Sequence, residues 1–461
     1  MLQRDRDQLD SVLNNTLTLA SDFLRALPER PVVAPLLPPA PPALPNDGLG
    51  AEAALELFRS TYAGGLTGSA GPRYWGFVTG GATPAALAGD WLVGAFDQNP
   101  TSKAEAAALY VERDALTLLR QLFGLSDAHT GVFVSGATMA NFVGLALARQ
   151  WAARRHGADA AQDGLHALPL LPILSGAPHS STYKALAMLG MGRRNLHVIP
   201  TLAGREAVSV GELRRALIEA AGQPCLVVGN AGTVNTVDFD DLAALAGLKR
   251  EFGFWLHVDA AFGGFAACSP KYRALLAGLD AADSITIDAH KWLNVPYDSA
   301  MAFTRHRDLQ AQVFQNSAAY LGAIGADPDP VHLTPENSRR WRALPVWLTL
   351  MAYGSDGYRD IVERDCALAQ QLGERIAASP RFRLLAPVRM NVVCFTLAGE
   401  ATPEAVRRFL DRLHTTGVVF MTPTVYGGAP AIRAAFCNWR TQAEDVERAW
   451  EAMRTVMSEV I

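Results

Sequence analysis

The chain is short of the features that mark membrane, nucleic-acid-binding or disulfide-stapled proteins. Cysteine is scarce, with five residues in 461, widely spaced and without a CxxC pair. That spacing argues against a zinc site or a disulfide framework, so Cys225, Cys268, Cys366, Cys394 and Cys437 are expected to be small buried thiols. Charge is also modest: 19% of residues are charged, the formal net charge is −4, and no long basic run occurs. A nucleic-acid surface needs clustered Lys and Arg, so that class is set aside. No apolar stretch reaches the length of a membrane span. The opening stretch, MLQRDRDQLDSVLNN, lacks the basic-then-apolar order of a signal peptide, and a cytoplasmic protein is the expectation. No GxGxxG opens a helix after a strand, which leaves a nicotinamide dehydrogenase poorly supported. No HExxH or other metal-ligand spacing is seen, so no metal is expected.

What is present is apolar and periodic. Hydrophobic residues make up 49% of the chain, enough for a large core, and the length suggests two to four structural units. Residues 5–27 have apolar positions near helical spacing, and they predict an amphipathic helix. PVVAPLLPPAPPALP, Pro31 to Pro45, follows as an extended connector, because proline fixes φ and lacks an N–H. Residues 1–103 are therefore read as a helical segment and connector that contacts another surface, a partner subunit in an oligomer. From residue 104 to 345 helix and strand alternate. GVFV, LPILS, PCLVVGN, FWLHVD and SITID are apolar strands that end in polar or small residues. Such strands between helices predict a mostly parallel sheet covered on both faces, with ligands beyond its carboxyl ends. Residues 346–461 change texture and read as a smaller C-terminal α/β domain.

Four features stand at those strand ends. Lys291 lies in SITIDAHKWLNVPYDSA, where the surroundings look buried. A lysine stripped of water becomes a usable amine nucleophile, able to form a Schiff base with a carbonyl. Asp259, in LHVDAAFGG, is an acid at the end of an apolar strand and needs a cationic partner there, a pyridinium nitrogen or an arginine. VSGATMAN, Val134 to Asn141, is a strand-to-helix turn of small residues that suits a phosphate at a helix N-terminus. His179, in APHSSTYKA, offers a planar ring that can stack. An aldehyde-binding amine, a pyridine partner, a phosphate cradle and a stacking ring are the parts that pyridoxal phosphate needs.

HVDAAFGG, DAHKWLNVPYDSA, PHSSTYKA and SRRWRALPVW together resemble the group II pyridoxal-phosphate-dependent decarboxylases, the family of the aromatic-amino-acid and glutamate decarboxylases. The resemblance runs from about Tyr74 to Tyr353. It implies an α/β fold of the aspartate-aminotransferase type (fold type I) and a homodimer with active sites at the subunit interface. It also implies roles, residue by residue. Lys291 is the Schiff-base lysine, preceded by His290. Asp259 pairs with the pyridine nitrogen, Ala261 lies against the ring, and His179 stacks on the other face. Gly136, Ala137 and Thr138 match the phosphate turn, and Thr233 with neighbouring Asn235 matches the Gly-Thr stretch near the cofactor. Three positions depart from the best-known members. Asp288 stands where animal aromatic-amino-acid decarboxylases have an asparagine near the phosphate, Val234 replaces a threonine, and Pro345 replaces a lysine. An anion at 288 must turn away from a phosphate or pair with a cation.

The cofactor permits several reactions, and the protein chooses among them. Tyr320, in QNSAAYLGAIGADPDP, lies 29 residues past Lys291, in a Gly- and Pro-containing stretch that reads as a closing loop. That spacing matches the loop tyrosine of aromatic-amino-acid decarboxylases, which protonates the α-carbon once carbon dioxide has left. Relatives with phenylalanine there tend to make aldehydes. The expected activity is therefore decarboxylation of an L-amino acid to its amine. An oxidative aldehyde synthase, an aminotransferase or a lyase on the same fold is the alternative; Arg433 could serve an aminotransferase by holding the α-carboxylate. A non-catalytic relative is the other rival, and retention of Lys291, Asp259 and His179 speaks against it. PRYWGFVTGGATP resembles the family's substrate-facing segment, so Trp75, Phe77 and Gly80 are candidates for a pocket favouring an aromatic or large apolar side chain. Arg339 and Arg340 are read either as loop or carboxylate contacts or as ion-paired residues.

Overall fold

The computed structural model describes residues 1–34, 40, 43–102, 106–166, 168–316, 324–325, 327–399 and 401–460. The apolar strands gather into one seven-stranded sheet: β1 (Thr130–Val134), β2 (Ile173–Ser175), β3 (Leu196–Val198), β4 (Leu226–Asn230), β5 (Trp255–Asp259), β6 (Ser284–Asp288) and β7 (Ala300–Thr304). Their order is β1-β7-β6-β5-β4-β2-β3, which puts β5 in the middle. Every pairing from β3 to β6 is parallel, while β7 runs antiparallel to both β6 and β1. This is the fold type I α/β arrangement. The register sets Asn230 beside Asp259, and Asp259 beside Thr286. The polar strand ends thus lie along one edge of the sheet, where ligands of such sheets bind.

β4, β5 and β6 are buried at every position, which explains their unbroken apolar sequence. β7, also buried at every position, and β3 are not among the five expected strands. Apolar periodicity does not report strand direction.

A second sheet follows: β8 (Phe382–Leu384), β9 (Val392–Leu397), β10 (Thr422–Tyr426) and β11 (Ala429–Ala435), in the order β10-β11-β9-β8 and antiparallel throughout. Helices Pro403–Thr415 and Ala443–Val460 accompany it. The helical stretch Ala343–Ala378 is interrupted at Gly354, whose φ of +57° is left-handed and suits glycine. The boundary expected at 345/346 falls inside this stretch. At the N-terminus the expected single helix is two, Leu2–Asp7 and Leu9–Ala26, separated at Gln8. All five cysteines are free and buried, as their spacing suggested.

Trp75 corrects the pocket expectation. It is 1% exposed and belongs to the core of the second sheet, with its ring 4.4 Å from that of Phe436. Its indole N–H donates to the Pro72 carbonyl at 2.9 Å. Its backbone bonds Phe420 and Ala435, so the segment is pinned to the second sheet as a structural stitch. Trp75→Ala should lower folding stability by about 3–5 kcal/mol, the usual cost of a large cavity. Denaturant unfolding would measure it, and a loss below about 1 kcal/mol would contradict this placement.

Candidate functional site

Strand ends of the main sheet, the loops after them and the N-terminus of helix Ser180–Met188 converge on a cavity of about 440 Å³. Of the sequence candidates, Phe77, His179, Thr233, Asn235, Asp259, Ala261, His290 and Lys291 line it. A larger open groove of about 730 Å³, bounded by Arg375, Trp450 and Arg454, lies on the second-sheet side. It contains no lysine, cysteine or histidine, so size does not select the site.

Asp259 ends β5 and is 7% exposed. Its carboxylate accepts hydrogen bonds from the Asn141 amide at 3.0 Å and from the Ala261 backbone N–H at 3.1 Å. Each oxygen has a further lone pair available. Asn141 lies one turn into helix Ala137–Arg155, fully buried. It was part of the quoted turn but was not singled out. Its signal was a polar side chain among Ala, Val and Leu positions of that helix.

Lys291 follows β6 in a tight turn. Its Nζ is 3.0 Å from Asp288 Oδ2 and 5.7 Å from the centre of the Phe262 ring. Its surroundings are therefore polar on one side and aromatic on the other, and the lysine is not isolated in an apolar pocket. Asp288 meets the second of the two expectations, since it is paired with a cation. His290 Nε2 is 3.6 Å from the same carboxylate oxygen, and burial lowers the His290 imidazole below its usual range. The other oxygen of Asp288 is buried with no partner among the described residues.

Gly136 caps helix Ala137–Arg155 with extended backbone. A Cβ at Gly136 would sit 3.4 Å from His290 Cε1 and 3.9 Å from Asp288 Oδ1. The turn is thus open beside the lysine segment, and the first N–H groups of the helix have no partners within it. Ala137 and Thr138 form that first turn without lining the cavity itself. Gly80 also departs from expectation. A Cβ there would fall 1.7 Å from the Lys291 carbonyl oxygen. Gly80 is therefore a close backbone crossing beneath the lysine, and its pocket role is withdrawn.

Thr233 and Asn235 are held by a residue that the sequence reading missed. The Glu206 carboxylate accepts from Thr233 at 2.5 Å, Thr236 at 2.7 Å and Asn235 at 3.0 Å. Glu206 sits in a loop with no pattern to distinguish it. Asn235 in turn accepts from Thr424 on β10 at 2.7 Å, and Arg433 on β11 donates to the Val234 carbonyl at 2.9 Å. The second sheet thereby closes one side of the cavity. Arg433 lines the cavity, and burial lowers its pKa. Tyr297, also unanticipated, lines the mouth with its ring 4.5 Å from that of His290. Arg339 and Arg340 are ion-paired, with Glu112 and Asp90 respectively, each at 2.7 Å. Tyr320 lies outside the described residues.

The residues fit pyridoxal phosphate on two structural grounds. An amine and a buried strand-end carboxylate with spare lone pairs face one cavity, and a glycine turn at a helix N-terminus opens beside them. The Asp288 carboxylate lies near that turn, and Lys291 offsets its charge.

Comparison with known proteins agrees. The pyridoxal-dependent decarboxylase conserved domain matches residues 35–398. Tryptophan decarboxylase 1 of Oryza sativa subsp. japonica is 28% identical over 99% of this chain and 95% of its own length. The 4-hydroxyphenylacetaldehyde synthase of Rhodiola rosea is 26% identical over 99% of this chain and 96% of its own. A crystal structure of Oryza sativa TDC with PLP and tryptamine superposes with a TM-score of 0.90 at 27% identity, covering 98% of each chain. No described helix is long and apolar enough to cross a membrane.

Proposed function

The chain belongs to the pyridoxal-dependent decarboxylase family and is a pyridoxal-phosphate-dependent amino-acid decarboxylase, and we propose that its substrate is an L-amino acid with an aromatic or large apolar side chain. The observation that carries this reading is the lining of one cavity by Lys291, Asp259 and His179 together with the rings of Phe77, Phe262 and Tyr297. Aromatic walls favour a flat apolar side chain. The relative named for tryptophan supports the same class.

When bound, pyridoxal phosphate supplies an aldehyde for the substrate amine and a ring that takes up the electrons of the breaking bond. The protein's part is positioning and charge. Lys291 provides the amine that holds the aldehyde. Asp259 would keep a proton on the ring nitrogen, and Asn141 holds Asp259 in place. Ala261 and His179 would hold the ring. Gly136, Ala137 and Thr138 would offer backbone N–H groups to the phosphate, with His290 beside them and Thr233 and Asn235 on the wall fixed by Glu206. Tyr320 would supply the proton for the α-carbon, a role resting on its spacing from Lys291.

The oxidative reading is kept because an aldehyde synthase aligns over nearly the whole chain. Products formed from a panel of L-amino acids in air, identified by mass spectrometry, separate the two. An amine with matching carbon dioxide is expected, and Lys291→Ala should abolish it. Tyr320→Phe should divert product toward aldehyde and ammonia. Amine formation by Lys291→Ala would overturn the assignment of the lysine, and an unchanged product profile in Tyr320→Phe would remove the tyrosine from the reaction.

A homodimer is also proposed. Helix Leu9–Ala26 buries none of its residues, and Leu9, Leu13, Leu17, Trp91, Phe96 and Met351 are exposed. Exposed apolar surface on this scale suits a second copy of the chain. Light scattering should give twice the 49.5 kDa chain mass; a monomer at micromolar concentration would refute it.

A further inference from the structure

The hydrogen bonds behind the cavity run in one direction. Trp255 Nε1–H donates to Ser284 Oγ at 3.0 Å, and Ser284 Oγ is 2.8 Å from His257 Nδ1. His257 Nε2 is 2.9 Å from Asn141 Oδ1, which Thr286 Oγ also approaches, at 2.7 Å. The Asn141 amide nitrogen donates to Asp259 Oδ2 and to Ser181 Oγ, each at 3.0 Å. Ser181 Oγ is 2.7 Å from His179 Nδ1.

The chemistry of each atom fixes where the protons lie. A carboxylate only accepts, so the NH₂ of Asn141 must face Asp259. Its oxygen then faces His257, so His257 carries its proton on Nε2. Burial holds that imidazole below its usual range, so Nδ1 is bare and accepts a hydrogen bond from the Ser284 hydroxyl. On the other branch Ser181 Oγ receives an N–H from Asn141, and its own hydroxyl is free to donate to His179 Nδ1. The Ser181 backbone N–H also points at His179 Nδ1, at 3.3 Å, and a backbone N–H can only donate. Nδ1 of His179 is therefore an acceptor. The tautomer of a histidine is set by the bond that its other nitrogen makes.

We propose that Asn141 and Ser181 are positioning residues that lock His179 as the neutral Nε2–H tautomer, a fixed donor directed into the cavity, and tie that donor to the Asp259 carboxylate. The inference rests on the decarboxylase reading for its use. The charge of a substrate carboxylate drains away as carbon dioxide leaves, so a cationic partner would stabilise the starting state more than the transition state. A neutral donor orients the group without that penalty. Burial lowers His179, the Lys291 and Arg433 cations reinforce the effect, and Asp259 and Asp288 oppose it. His179 Nδ1 also caps helix Ser180–Met188, which fixes the ring relative to the backbone.

The test is nitrogen NMR of the holoenzyme with ¹⁵N-labelled histidine, the His179 signals being assigned by their loss in His179→Gln. A bare Nδ1 and a protonated Nε2 at neutral pH are expected. Ser181→Ala should lower kcat on the order of tenfold, the scale of one lost hydrogen bond, with the acid limb of the pH profile moved upward and cofactor affinity unchanged. Ser181→Thr, which keeps the hydroxyl, should restore both. Asn141→Ala should lose cofactor affinity as well, and if it fails to fold the Ser181 pair still decides. An Nδ1–H tautomer, an imidazolium at neutral pH, or a Ser181→Ala enzyme with wild-type kcat and pH profile would overturn the proposal. If the wild type forms no amine, the decarboxylase reading fails while the NMR signature remains; if amine forms and the tautomer is wrong, only this inference fails.

Discussion

A carboxylate buried at the end of the central strand governs this structure. Taking Asp259 out of water costs several kcal/mol unless its lone pairs are met. Two of them are met by Asn141 and by the Ala261 backbone. Asn141 can serve only because its own oxygen is held by His257 and Thr286. Residues from helix Ala137–Arg155, β5 and β6 are thus committed to placing one acid, and the lone pairs left over face the cavity. An acid maintained in this way suits a protonated ring nitrogen, and the family's cofactor carries one.

The amine on the next strand end is placed by backbone as much as by charge. Gly80 crosses so near the Lys291 carbonyl that a methyl group has no room. Asp288 then pairs with the ammonium. The far wall comes from the second sheet, through Thr424 to Asn235 and Arg433 to Val234. The cavity therefore depends on contact between both sheets, and the three hydrogen bonds to Glu206 stiffen the turn at that contact.

The fold was legible in the chain because β2, β4, β5 and β6 are buried throughout and read as apolar runs, whereas β3, exposed at two of its three positions, carries no such signal. Strand direction was not legible, and β7 shows why: side-chain burial is the same in either sense. Lys291, Asp259 and His179 stood out because each breaks an apolar or small-residue context at a strand end. Asn141 and Glu206 did not, since their importance lies in partners 118 and about 30 residues away along the chain. Trp75 misled because an aromatic in a substrate-like segment has the same appearance whether it faces a ligand or a core. Gly80 misled in the opposite way, by its smallness, which serves a backbone crossing.

The most direct test of the account is amine formation by Asp259→Asn loaded with pyridoxal phosphate, with cofactor capture by Lys291 followed separately by borohydride trapping and mass spectrometry. The account predicts that trapping at Lys291 persists while turnover falls by at least on the order of 10²-fold, the scale of losing a charge-stabilising partner. Turnover within a few-fold of wild type would contradict the claim that the strand-end acid drives the chemistry.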